Sequence, residues 1–146
     1  MTVFVDTSAV VAMLDADDPR HGSAAGFWAD ATRERWRLVT TNYVIVETWA
    51  VLQRRFGLDA VCKFRAGIAP LLSTHWVDSE LHETGAGLAL IEPKRHLSLV
   101  DCVSFAFMLQ ARIKDVFAFD PHFGEQGFNV LPESGSGPDD KQGMEQ

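Results

Sequence analysis

Short apolar runs alternate with helical segments along most of this chain, and this alternation restricts the fold more than any other feature. The first run, residues 3–5, precedes a helical segment at 8–14, and later runs at 38–39 and 116–119 also border helical segments. Strands that alternate with helices predict a parallel sheet covered on both faces. We therefore expect a three-layer α/β fold with about four to five strands.

Capping residues predict where the helices begin and end. Asp18 and Pro19 begin a segment that reaches about Arg33, and Asn42 can cap a long helix that is closed by Gly57. The remaining predicted elements are helices from Asp59 toward Pro70, from Asp78 or Ser79 to about Ile91 and from Ser98 to about Arg112, and strands at 74–77 and 128–131.

The length and composition favour one globular domain. The chain has 146 residues, of which 47% are hydrophobic, and we expect the domain to span residues 1–132 and the Gly/Ser/Pro-rich residues 133–146 to form a disordered tail. Cys62 and Cys102 are far apart, which argues against a disulfide framework or a C-x-x-C site. Because we find neither a membrane-spanning run nor a basic leader, we expect a cytoplasmic protein with no membrane partner.

Four acids occur where the apolar pattern predicts other residues. Asp6 and Asp120 each follow a strand-like run, which places them at the carboxyl ends of strands, where α/β proteins bind ligands. Glu47 interrupts a stretch so apolar that its helix is predicted to be buried nearly all round, and Asp101 lies near the start of another apolar helix. A buried charge needs a partner, and if these carboxylates converge, their mutual repulsion and desolvation require a compensating cation.

Each acid taken alone also has a structural explanation. Asp6 can cap the first helix, Asp101 can form a capping box with Ser98, and Asp120 before a proline can open a turn. Only Glu47 has no such role, because it lies in a helix interior. The four together are much harder to attribute to coincidence.

These acids also carry a resemblance to a known family. The segments are VDTSA at 5–9, TTNYVIVE at 40–47, LSLVD at 97–101 and FDPHF at 119–123. Their order and spacing resemble the acidic motifs of PIN domains, in particular VapC-type toxin ribonucleases. The resemblance covers about residues 3–131 and implies a PIN-like parallel sheet and cleavage of RNA that depends on Mg²⁺ or Mn²⁺.

The resemblance also implies roles for particular residues and partners. Asp6, Glu47, Asp101 and Asp120 would form the catalytic, metal-binding site. Ser8, Thr7, Asn42 and Ser104 would be polar supports around it. No further acid follows Asp101 directly, unlike in some relatives, so the resemblance leaves the number of metal ions open. The implied partners are RNA, an inhibitory antitoxin protein and a second copy of the chain in a homodimer.

A net charge of −7 disfavours a nucleic-acid partner unless metal neutralises the clustered acids. The basic residues occur in local groups, and Lys94 and Arg95 are the best placed to contact phosphates because the helix that carries Asp101 follows them. The groups at 33–37 and 54–55 fit a solvated surface better.

The sequence pattern leaves two other functions open. A phosphohydrolase of the haloacid dehalogenase type also has an aspartate after its first strand, but it usually has a second one two residues later, where this chain has Ser8. A non-catalytic PIN-like module that binds RNA is the other alternative.

Overall fold

The computed structural model describes residues 1–91 and 96–134 of the chain. Its strands, in chain order, are β1 (Thr2–Val5), β2 (Arg37–Thr41), β3 (Ser73–His75), β4 (Asp115–Phe117) and β5 (Asn129–Leu131). Every neighbouring pair is parallel, and the order across the sheet is β3-β2-β1-β4-β5. The predicted parallel sheet is therefore confirmed, with β1 at its centre.

Helices cover the sheet on both faces. They are α1 (Thr7–Leu14), α2 (His21–Arg33), α3 (Asn42–Phe56), α4 (Leu58–Lys63), α5 (Ser79–Ile91), α6 (Leu99–Ala111) and α7 (Pro121–Glu125). Within the described ranges, no helix has the length and apolar character that a bilayer crossing requires. Lys94, Arg95 and residues 135–146 of the expected tail lie outside the described residues.

The alternation of side chains along β1 separates two hydrophobic cores. Val3 and Val5 point to one face, where they pack with residues of α1, α2 and α4. Phe4 points to the other face and packs with residues of α6 and with Phe123 of α7. Val3, Phe4 and Val5 are all fully buried, which explains why this part of β1 is a continuous apolar run.

Local contacts shift three predicted helix starts. Asp18 accepts a hydrogen bond from the Arg20 amide and so forms a turn, and α2 begins only at His21. Thr41, not Asn42, caps α3 through the Val44 amide. The single helix predicted from Asp59 to Pro70 is instead three short helical segments. The first is α4, which begins after Gly57 (φ +87°), and it is followed by a π-helical segment (Phe64–Ile68) and a 3-10 turn (Ala69–Leu71).

The prediction that the helix of Glu47 is buried nearly all round is wrong. In α3 only Val44, Thr48 and Leu52 are buried, four residues apart along one stripe. Val46 is 67% exposed and Trp49 is 41% exposed on the remaining surface. The helix packs against the rest of the domain, mainly α1, α4 and α6, with one stripe, so its other apolar residues stay in solvent.

The close packing of α5 on α6 depends on Gly85. A Cβ atom there would lie 2.9 Å from the Cα of Val103, whereas a Cβ at Gly87 of the same helix would meet nothing within 4 Å. We expect Gly85→Ala to lower the free energy of unfolding by about 1–3 kcal/mol, because the two helices must move apart. Gly87→Ala should raise it by about 0.5–1 kcal/mol through helix propensity. Urea denaturation of both variants measures these changes, and equal changes in the free energy of unfolding would contradict the packing argument.

Candidate active site

The strand order creates a crevice above the centre of the sheet. From β1 the chain moves outward to β2 and β3 and then returns to β4 on the other side of β1. Ligands of open α/β sheets bind at such a reversal, outside the carboxyl ends of the strands. Asp6 directly follows β1, and Asp120 follows β4 after two intervening residues.

All four predicted acids line one cavity at this place. The cavity has a volume of about 320 Å³, and its walls include Asp6, Glu47, Asp101 and Asp120. Asp6 is only 3% exposed, while the other three are partly buried. The acids come from the ends of β1 and β4 and from the helices α3 and α6, so the tertiary fold brings them together.

Three of these acids also cap helices, as the structural explanation required. Asp6 accepts a hydrogen bond from the Ser8 amide at 3.1 Å and begins α1. Asp101 and Ser98 form a reciprocal capping box at the start of α6. Asp120 accepts from the His122 amide at 2.9 Å and begins α7. Capping and a place in the acidic cavity are thus compatible roles of the same carboxylates.

The grouped carboxylates repel one another and are poorly solvated. Burial, with smaller contributions from the charges of Asp101 and Glu47, raises the pKa of Asp6 to about 7, although hydrogen bonds from Ser8 oppose this increase. Burial also raises the pKa of Glu47, where a hydrogen bond from Thr7 opposes it. The pKa of Asp101 rises through burial and the neighbouring charge of Asp120. The cluster is therefore costly to ionise without a cation.

Ser8 joins the two sides of the crevice. Its hydroxyl donates to Asp6 Oδ2 at 2.7 Å and accepts from the Phe119 amide at 2.9 Å. The same hydroxyl thus orients the Asp6 carboxylate and fixes the backbone that leads into Asp120.

The other predicted supports lie at different distances from the cavity. Thr7 lines the cavity, and its hydroxyl is 2.9 Å from that of Thr48, which ties the start of α1 to α3. Asn42 instead accepts a hydrogen bond from the Val77 amide at 2.7 Å and orders the segment after β3. Ser104 is fully buried, and its hydroxyl has no hydrogen-bond partner among the described residues.

The sequence analysis missed three residues at this site. Arg20 and Arg55 line the acidic cavity, where Arg20 pairs with Asp18 at 3.1 Å and Arg55 lies 3.8 Å from Asp15. We had interpreted Arg55 as a surface residue and had not selected Arg20. The third is His122, whose Nδ1 lies 2.9 Å from a carboxylate oxygen of Asp120. Its position two residues after that acid was the available sequence signal.

A second cleft lies at the opposite end of the sheet. It has a volume of about 480 Å³, and its walls include Arg37 at the start of β2, Ser73 at the start of β3 and Arg112 after α6. None of the described residues that line it is acidic. This larger cleft therefore lacks the carboxylate ligands that usually hold a hard metal ion, and the smaller acidic cavity is the better candidate for chemistry.

Comparison with known proteins identifies the family. The profile of the PIN domain matches residues 3–129. The chain belongs to the PIN-domain family. One relative, the 23S rRNA-specific endonuclease VapC20 of Mycobacterium tuberculosis, is 35% identical over 133 residues, which cover 90% of this chain and 99% of the relative. The predicted resemblance to VapC-type toxin endonucleases is confirmed.

Solved structures agree with this membership of the PIN-domain family. The crystal structure of M. tuberculosis VapC20, described as a toxin that cleaves the sarcin-ricin loop, has a TM-score of 0.76 and 34% identity and covers 86% of this chain and 95% of that one. The Rickettsia felis VapBC2 complex, crystallised with a promoter DNA fragment, has a TM-score of 0.61 at 9% identity, with coverage of 89% and 97%. FitAcB of Neisseria gonorrhoeae has a TM-score of 0.64 at 14% identity, with coverage of 89% and 96%. These two share the fold.

Proposed function

We propose that this PIN-domain protein is an endoribonuclease that hydrolyses RNA phosphodiester bonds with Mg²⁺ or Mn²⁺ and acts as the toxin of a toxin and antitoxin pair. The nuclease domain would be residues 1–132. The observation that carries the proposal is the convergence of Asp6, Glu47, Asp101 and Asp120 on one cavity at the sheet's crevice. The similarity to VapC20 supports the choice of RNA as substrate.

The donors in the cavity fit a hard divalent cation. Carboxylate oxygens are the ligands that Mg²⁺ and Mn²⁺ prefer, and both ions retain several waters when only a few carboxylates bind them. Asp6 carries a pKa near 7 within the cluster, so a cation there would remove a large electrostatic penalty. We assign Asp6, Asp101 and Asp120 as direct ligands, and Glu47 either as a ligand or as the residue that orients the attacking water.

The protein groups would position the reactants for an in-line displacement. A bound divalent cation supplies positive charge and lowers the pKa of the water that attacks phosphorus. Glu47 is half-buried at the cavity wall, and burial raises its pKa, so its carboxylate is a better proton acceptor than that of an exposed glutamate. Ser8 holds Asp6 in one orientation, which limits the reorganisation that the reaction requires.

Basic residues beside the cavity can meet the phosphate backbone. Arg20 and Arg55 line the cavity itself and provide guanidinium groups next to the acids. Lys94 and Arg95, which lie outside the described residues, remain proposed RNA contacts from their position before α6. Such contacts position RNA, whereas selection of a sequence requires contacts to bases.

Protein partners are also part of the proposal. VapBC2 and FitAcB support an antitoxin partner for this chain, and we propose a homodimer as well. Val46 and Trp49 on the solvent side of α3 offer apolar surface beside Glu47, which suits a partner that covers the cavity.

Metal removal tests the proposed reaction directly. Purified protein that is free of inhibitor should cleave 23S rRNA, the substrate named for VapC20, in Mg²⁺ or Mn²⁺, and EDTA should lower the rate to background. Gel or sequencing detection of cut ends is the measurement. Cleavage that persists in EDTA would contradict the metal mechanism. RNA binding without cleavage would favour a non-catalytic module, and hydrolysis of small phosphomonoesters alone would favour a phosphohydrolase.

Ser8→Ala should weaken metal binding about 10- to 100-fold, because it removes the group that orients the Asp6 carboxylate. Calorimetric titration with Mn²⁺ measures the change. Ser73→Ala, at the opposite end of the sheet, is the matched control and should leave the affinity unchanged. Equal affinity in both variants would show that Asp6 needs no support from this hydroxyl.

A further inference from the structure

A histidine completes a group of possible metal ligands on one side of the acidic cavity. Asp101, Asp120 and His122 each offer a ligand atom, and these atoms all lie within 4.8 Å of one another. The two acids belong to the site described above. His122 comes from α7, and neither the family resemblance nor the sequence analysis gave it a role.

The contact between His122 and Asp120 is close but is not a hydrogen bond. The Nδ1 atom lies 2.9 Å from Asp120 Oδ1, yet it is buried and has no hydrogen-bond partner among the described residues. The same Oδ1 already accepts a hydrogen bond from the His122 amide at 2.9 Å. A buried ring nitrogen without a partner is costly, so this placement calls for an explanation.

Shared coordination explains this placement better than an ion pair does. Ligand atoms at about 2.1 Å from an ion, in adjacent octahedral positions, are themselves about 3 Å apart. The separation of Nδ1 and Oδ1 matches that spacing, and a ring nitrogen that binds a metal ion needs no hydrogen-bond geometry toward the carboxylate. Asp101, whose oxygen lies in the same group, would supply a further ligand.

We propose that His122 is a nitrogen ligand of a divalent cation that Asp101 and Asp120 also bind, and that it makes this position select Mn²⁺ over Mg²⁺. The inference rests on the proposed metal site and adds a residue and a metal preference to it. Mg²⁺ favours oxygen ligands, whereas imidazole suits the transition metals, so a mixed position should discriminate between the two ions. Asp6 and Glu47, which are not members of this group, would form an all-oxygen side of the cavity.

Pulsed electron paramagnetic resonance of the Mn²⁺-loaded protein tests the nitrogen ligand without any RNA. The wild type should show ¹⁴N modulation from a directly bound imidazole. His122→Gln should lose this modulation and bind Mn²⁺ about 10- to 100-fold more weakly by calorimetry, while its Mg²⁺ affinity changes much less. His75→Gln is the matched control because His75 is exposed on β3, outside the acidic cavity, and it should keep the signal.

The possible outcomes test the assignment of His122 as a ligand independently of the proposed nuclease function. Absence of ¹⁴N modulation in the wild type, or its retention in His122→Gln, overturns the assignment even if the protein cleaves RNA. Equal weakening of Mg²⁺ and Mn²⁺ overturns the selectivity and leaves His122 as a residue that orients Asp120. If the wild type binds Mn²⁺ through nitrogen and cleaves no RNA, the ligand assignment stands and the proposed function fails. Circular dichroism of His122→Gln, with His122→Asn as a second variant, shows whether the fold is intact.

Discussion

Asp6→Asn is expected to lower RNA cleavage by about 10²- to 10³-fold, a loss typical of removing a group on which transition-state stabilisation depends. Asp6 is the most buried of the four acids and follows the central strand directly, so no neighbouring carboxylate can take its place. Asparagine is also a good helix cap and can still accept the hydrogen bonds from Ser8. The variant thus removes the negative charge and preserves the start of α1.

Initial cleavage rates at saturating metal, together with the melting temperature, measure this effect. Asp59→Asn is the matched control, because Asp59 is exposed in the first turn of α4 and is not one of the residues that line the acidic cavity. It should retain full activity. Activity of folded Asp6→Asn within tenfold of the wild type would exclude Asp6 as the central ligand.

The second large effect concerns stability without metal. Folding raises the pKa of Asp6 from 3.8 to about 7. At a pH between these two values, Asp6 therefore keeps a proton in the folded protein that it has released in the unfolded chain. The free energy of unfolding should therefore fall as pH rises from about 4 to 7, and the total contribution of this one group is up to about 4 kcal/mol. The raised pKa values of Glu47 and Asp101 act in the same direction.

Comparison of Asp6→Asn with the wild type isolates this contribution. In EDTA at pH 8 the variant should be the more stable protein, and below about pH 4 the difference should disappear. Addition of Mg²⁺ at pH 8 should stabilise the wild type, because a ligand that binds only the folded state adds its binding free energy. Urea denaturation across this pH range is the measurement. A variant less stable than the wild type at pH 8 would show that the buried carboxylate is not under electrostatic strain.

The central part of the fold was predictable because β1 is buried on both faces. Such a strand must be a continuous apolar run, and Val3, Phe4 and Val5 are one. The acids were predictable for a related reason, since a polar residue at the end of a buried strand or inside an apolar helix stands out. Glu47 was recognised in this way, although the inference that its whole helix is buried was wrong.

The errors and omissions arise from contacts that only the tertiary fold creates. The exposure of Trp49 depends on which stripe of α3 packs against the rest of the domain, and local apolar content does not contain this information. Arg20 and Arg55 are near the acids only because α2 and α3 flank the same crevice. His122 was overlooked because histidine ligands are usually recognised in repeated spacings, whereas here a single ring lies beside Asp120 at the start of its own helix and near Asp101 of α6.

The strand order has a consequence for how the protein is made. The central strand is synthesised first, but its neighbour β4 and the acid that follows it come from the last third of the chain. At typical rates of translation Asp120 leaves the ribosome's catalytic centre on the order of ten seconds after Asp6. During that time the nascent chain cannot assemble the acidic site, however well its first half is folded. The proposed nuclease would therefore stay inactive until its synthesis is nearly complete.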